Sequence, residues 1–135
     1  MAGKHKATLS EKIERAARGL VYISETDSEV EAIAAGKCDA TTAADLRMMF
    51  GISPATEMAA EDADAFFERL SRKRDWHSER DARNAEGFAK LHKLLKKELH
   101  DLRVFRVGHI RLMIYVVGLD KKRRMRGVKM HAVET

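Results

Sequence analysis

At 135 residues, 44% of them apolar, with one proline and one cysteine, the chain has material for one domain spanning 1–135 with its own core, and it excludes an internal disulfide. The formal charge of +5 arises from 26 basic against 21 acidic residues; Lys121, Lys122, Arg123, Arg124 and Arg126 account for the excess, so the rest of the chain is balanced and carries no extended phosphate-tracking face. Lys4, His5 and Lys6 open the sequence without an apolar leader segment behind them, and no stretch approaches the roughly 20 apolar residues of a membrane helix, so a soluble, unprocessed, cytoplasmic protein is expected.

Thr8 with Glu11 three residues on fits a capping box, and Leu9, Ile13, Ala16, Ala17 and Leu20 recur behind it at helical spacing. The pattern predicts a helix over 9–18 that stops at Gly19. In the following LVYISETDSE an apolar run turns polar, which places Ser24 and Glu25 where the chain leaves the core. Val30 to Ala35 reads as a short strand or a helical turn, and its alanines and glutamates argue against the strand. Thr42 caps a short predicted helix through Ala44, Leu46, Met48 and Met49 that ends before Gly51, and Ser53 and Pro54 break the chain. Asp62 caps a third helix whose Ala63, Phe66, Phe67 and Leu70 share one apolar face. A charged connection, SRKRDWHSERD, carries the only tryptophan, Trp76. Ser78 with Asp81 caps the longest helix, over 79–100, with Ala85, Phe88, Leu91, Leu95 and Leu99 as its stripe. Gly87 within it points to close packing against a sheet.

After Asp101 the period changes from 3.6 to 2. Ile110, Leu112, Ile114 and Val116 point one way, and His109, Arg111, Met113, Tyr115 and Val117 the other. Both faces are partly apolar, so helices should cover both sides. LRVFRVG, HIRLMIYVVG and RGVKMHAVET then form an antiparallel meander, with Gly108 in the first hairpin, the segment 120–126 as the loop of the second, and the last strand running to Thr135.

The chemistry-bearing residues form no catalytic pattern. His77, His92, His100, His109 and His131 lack HxxxH or HExxH spacing, and Cys38 has only Lys37 beside it. There is no phosphate loop and no nucleophile elbow. Asp62 and Asp64 sit where a helix N-terminus wants carboxylates. The sequence does not read as an enzyme, and it predicts no cofactor and no metal site of its own. The KKRRMR turn is open to two readings, a solvated hairpin tip or a patch for phosphates or an acidic partner; it lacks the interleaved aromatics of single-strand binding. Trp76, a tryptophan among charges, is either an interface anchor or a ring folded onto a helix end.

Three segments together change the weight of Glu25, Trp76 and the terminus. GLVYISETDSEVE, DADAFFERLSRKRDW, and VFRVGHIRLMIYVVG through VKMHAVET resemble the nuclease A inhibitor family, small bacterial proteins that block sugar-nonspecific nucleases. The resemblance implies an α+β fold, a three-layer α-β-α sandwich with a C-terminal antiparallel β-meander. It further implies a plug: oxygens of Glu25 and of Thr135, through its hydroxyl or terminal carboxylate, approach the hydrated metal of a target nuclease, with Trp76 on the rim of the cleft and Glu134 and Arg74 beside these contacts. Arg74 stands where the family pattern has a polar neutral residue. The expected partner is a sugar-nonspecific nuclease, met by a chain that is monomeric when free. Two further readings are a nucleic-acid-binding module that uses Lys121, Lys122, Arg123, Arg124 and Arg126 with Arg103, Arg106 and Lys129, and a protein-interaction domain of the same fold with another partner. A strand of about ten residues would hold the cationic turn and the anionic end roughly 33 Å apart.

Overall fold

The computed structural model describes residues 7–135; Lys4, His5 and Lys6 lie outside the described residues. Among the described residues four helices are each started by the side chain the sequence marks as a cap. Thr8 accepts the Glu11 N–H at the head of α1 (Leu9–Ala17), Thr42 that of Asp45 at α2 (Ala43–Phe50), Asp62 that of Ala65 at α3 (Ala63–Ser71), and Ser78 that of Asp81 at α4 (Glu79–Glu98). Each bond satisfies a donor the helix itself leaves orphaned. Gly19, at φ 80°, turns the chain out of α1 in the left-handed conformation.

The strands are β1 (Val21–Ile23), β2 (Asp27–Glu29), β3 (Glu31–Lys37), β4 (Met58–Glu61), β5 (His100–His109), β6 (Arg111–Leu119) and β7 (Arg124–Val133). β1 and β2 form a small hairpin. The others form one five-stranded antiparallel sheet in the order β3-β7-β6-β5-β4, with the predicted meander β5-β6-β7 at its centre.

Both faces of the sheet are covered. On one, Ile13 of α1, Phe66 and Phe67 of α3, and Phe88, Leu91 and Leu95 of α4 close over Val104, Ile114, Val116, Val128 and Met130. On the other, Leu46 of α2 packs with Phe105, Tyr115, Val117, Leu119 and Met125. This is the expected α-β-α sandwich, and β6 shows the alternation that produces it, with Ile114 and Val116 on one side and Tyr115 and Val117 on the other. Each of the three fully buried phenylalanines Phe66, Phe67 and Phe88 contributes about 1.5–3 kcal/mol of burial.

The structure differs from the sequence reading at the sheet's margins. Residues 31–37 are a strand, not the non-strand segment that their alanines and glutamates suggested. β3 is an edge strand with an almost wholly exposed side-chain pattern, held by its backbone ladder to β7 from Glu31↔Lys129 to Lys37↔Arg124. β4, the opposite edge, was not foreseen. α4 ends at Glu98 and β5 begins at His100. Ile110 leaves the alternation because it is the β5–β6 turn residue, at φ 64° and 44% exposed. Gly87 faces Leu20 rather than the sheet: a Cβ there would clash with Leu20 Cδ2. The second hairpin turns over Asp120–Arg123, so Arg124 and Arg126 belong to β7, which ends at Val133.

Candidate partner-binding site

β3 accompanies β7 only as far as Lys129. Beyond it, the β1–β2 hairpin takes over the exposed edge through side chains. Ser28 Oγ accepts the His131 N–H at 2.9 Å, Ser24 Oγ accepts the Val133 N–H at 3.0 Å, and the Glu25 N–H donates to the Val133 carbonyl at 3.1 Å. The hairpin is itself held to α4 by Asn84, whose amide oxygen and nitrogen pair with the N–H and C=O of Val21, both at 2.9 Å. Two serines and an asparagine thus satisfy edge groups that would otherwise need another strand.

These contacts put Glu25 against Thr135. The Thr135 N–H donates to Glu25 Oε2 at 2.7 Å, and its hydroxyl lies 2.8 and 3.0 Å from the two carboxylate oxygens. Both residues are exposed, so the pair is ordered yet accessible. Glu134 is fixed on the other side: its N–H donates to the Ile110 carbonyl at 2.8 Å and its carboxylate accepts from Arg106 Nη1 at 2.7 Å. Arg106 also donates to Glu61 at 2.9 Å and reaches the Tyr22 hydroxyl at 3.5 Å, while Arg69 of α3 joins Glu61. Burial pushes the Glu61 carboxyl upward, but its bonds to Arg106 and Arg69 outweigh this and hold it below the usual carboxylate range. Burial likewise opposes the Arg106 charge, and Glu134 and Glu61 reverse that effect.

Trp76 lies in the α3–α4 connection, 76% exposed, with the Arg74 guanidinium 5.2 Å from its ring centre and His77 edge-on at 6.0 Å. Its ring is not folded away. Trp76, Arg74 and Arg69 line a groove together with Ile23, which stands two residues before Glu25 in the chain, and Arg69 shares Glu61 with the Arg106 that holds Glu134.

The cationic turn is elsewhere, at the other end of β7. The buried Asp120 gathers it, accepting N–H bonds from Lys122 at 2.8 Å and Arg124 at 2.9 Å and the Arg126 Nε at 2.8 Å. Burial disfavours the Asp120 charge, yet the Arg124 N–H, the Arg126 guanidinium and the Lys122 N–H hold its carboxyl at about 2. Arg123 pairs with Asp39, which leaves Lys121 and Lys122 as the least committed cations of the five.

Sequence reasoning missed Ser28, Glu61 and Asn84, and it named Arg106 only as support for phosphate binding. One signal was available for Arg106: an arginine between Phe105 and Val107 on a strand with apolar neighbours needs a carboxylate partner.

These features define a small α+β protein with two exposed carboxylates gathered at one end of a two-sided antiparallel sheet. Among the described residues there is no cluster of three or more His, Cys, Asp or Glu that could hold a metal ion, and no helix long and apolar enough to cross a membrane. The chain belongs to the nuclease A inhibitor-like protein family, whose profile matches residues 7–135. No curated protein sequence matches the chain significantly.

Proposed function

We propose that this protein inhibits a metal-dependent, sugar-nonspecific nuclease by inserting the Glu25–Thr135 end into the active-site cleft. Family membership supports an inhibitor role, and the observation that carries the plug mechanism is the direct Glu25–Thr135 contact. A carboxylate and a hydroxyl fixed against each other are hard oxygen donors of the kind a hydrated divalent ion accepts, directly or through water. They mimic the charge of the scissile phosphate without offering a leaving group. Trp76 and Ile23 supply apolar area beside the plug, as buried anchors do in tight interfaces. Phosphate binding by the turn at the far end is less well supported, since Arg123, Arg124 and Arg126 already have carboxylate partners.

Plasmid digestion by a panel of metal-dependent nonspecific nucleases, with and without the protein, tests the reading. Inhibition of at least one is expected. Glu25→Ala and deletion of Thr135 should each weaken it by tenfold or more, about 1.4 kcal/mol, while thermal stability stays within about 0.5 kcal/mol because both residues are exposed. Undiminished cutting throughout the panel, or full potency of both variants, would overturn it.

A further inference from the structure

The groove beside Trp76 does not end at Ile23. It continues past Val21 and Asn84 into a second cavity of about 380 Å³ between the β1–β2 hairpin and the first turns of α4, where Arg18, Arg80 and Arg83 come together. All three are exposed. None of them has an ion-pair partner among the described residues, in contrast to Arg69, Arg72, Arg106, Arg123, Arg124 and Arg126, each of which has one. Three uncommitted guanidiniums on one concave surface repel one another and gain by meeting carboxylates, which they can grip in pairs of parallel N–H bonds.

We propose that this groove docks an acidic segment of the partner protein, one that also carries an apolar side chain for the Ile23–Trp76 stretch. A protein segment fits better than a nucleic-acid strand for two reasons. Asp27 and Asp81 line the same cavity and would repel a continuous run of phosphates, whereas a peptide can place its carboxylates between them. Ile23, 58% exposed, and Trp76 lie along the path, and the aliphatic Ile23 offers an apolar contact that a leucine or valine side chain fills and a phosphodiester backbone does not. Under the inhibitor reading, on which this inference rests, the acidic segment lies on the nuclease just outside its cleft, and the groove selects among nucleases whose catalytic centres are alike.

Fluorescence anisotropy separates this inference from the inhibitor reading itself. The probes are a fluorescein-labelled peptide alternating Glu with Leu, its Lys–Leu counterpart, and a labelled single-stranded oligonucleotide. The full chain should bind the Glu–Leu peptide in preference to the other two. The Arg18→Gln/Arg80→Gln/Arg83→Gln variant should lose at least tenfold in affinity, and Lys121→Gln/Lys122→Gln, two cations removed at the far end of β7, should bind as the parent does. Retained affinity in the triple variant overturns the proposal, and arginine-dependent binding of the oligonucleotide in place of the peptide replaces it with nucleic-acid recognition. Arginine-dependent peptide binding by a chain that inhibits none of the nucleases would uphold the groove and remove the nuclease as its partner.

Discussion

Arg106 stands on β5 with its guanidinium spread over three carboxylate and phenol partners. It bonds Glu61 of β4 and Glu134 beyond β7, and it reaches Tyr22 of β1. Its side chain is 22% exposed and that of Glu61 19%, so removing the cation would leave a half-buried carboxylate with one partner fewer. Breaking a fully buried pair costs 3–5 kcal/mol; with partial exposure, Arg106→Leu should cost about 2–3 kcal/mol in urea unfolding. Arg106→Lys keeps the charge but cannot bridge Glu61 and Glu134 with a planar fork, so it should fall between the two. If both variants unfold like the parent, Arg106 does not hold the tail in place. At this scale the sequence was least legible. Glu25 and Thr135 are 110 positions apart, and nothing in the local pattern around either residue predicts the bond between them. Only resemblance joined them.

At the scale of elements, legibility followed the source of each element's stability. The helices were readable because their caps and apolar stripes are local, and Thr8, Thr42, Asp62 and Ser78 each cap the helix expected of them. The central strands were readable because they bury side chains on alternate faces. β3 and β4 were not, because an edge strand is held mainly by its backbone ladder, to which an alanine contributes as well as a valine. The β6–β7 turn is a further case, since its basic run conceals the one residue that organises it. Asp120 holds a carboxyl at about 2 in the fold, against about 3.9 in the unfolded chain. A depressed folded value contributes stability that is complete above about pH 4 and is lost as the pH falls towards 2, because there the unfolded state takes up the proton first. That contribution is about 2–3 kcal/mol. Asp120→Asn should therefore lower the melting temperature at pH 7 and narrow the gap to the parent as the pH drops below 4. A constant gap from pH 7 to pH 2 would show that the carboxylate charge is not what organises the turn.

Across the whole molecule, the sheet works as a spacer. β7 runs ten residues from Arg124 to Val133, about 30 Å at roughly 3.3 Å per step, with the cationic turn at its start and the Glu25–Thr135 pair at its finish. A net charge of +5 would by itself oppose approach to an electropositive, DNA-binding cleft. The geometry removes most of that opposition: the Debye length at about 0.15 M salt is about 8 Å, so charges 30 Å behind the leading end are screened, whereas at about 0.01 M it grows to about 30 Å and they are felt. Lys121→Glu/Lys122→Glu should therefore leave inhibition within about twofold at 0.15 M salt. At 0.01 M the same variant should associate measurably faster with an electropositive target, because most of the repulsion that acts over the length of the sheet has been removed. Stopped-flow association at the two salt concentrations separates the cases. A change of tenfold or more at 0.15 M would mean that the turn, and not only the far end of β7, meets the partner directly, and the orientation of the plug would have to be reversed.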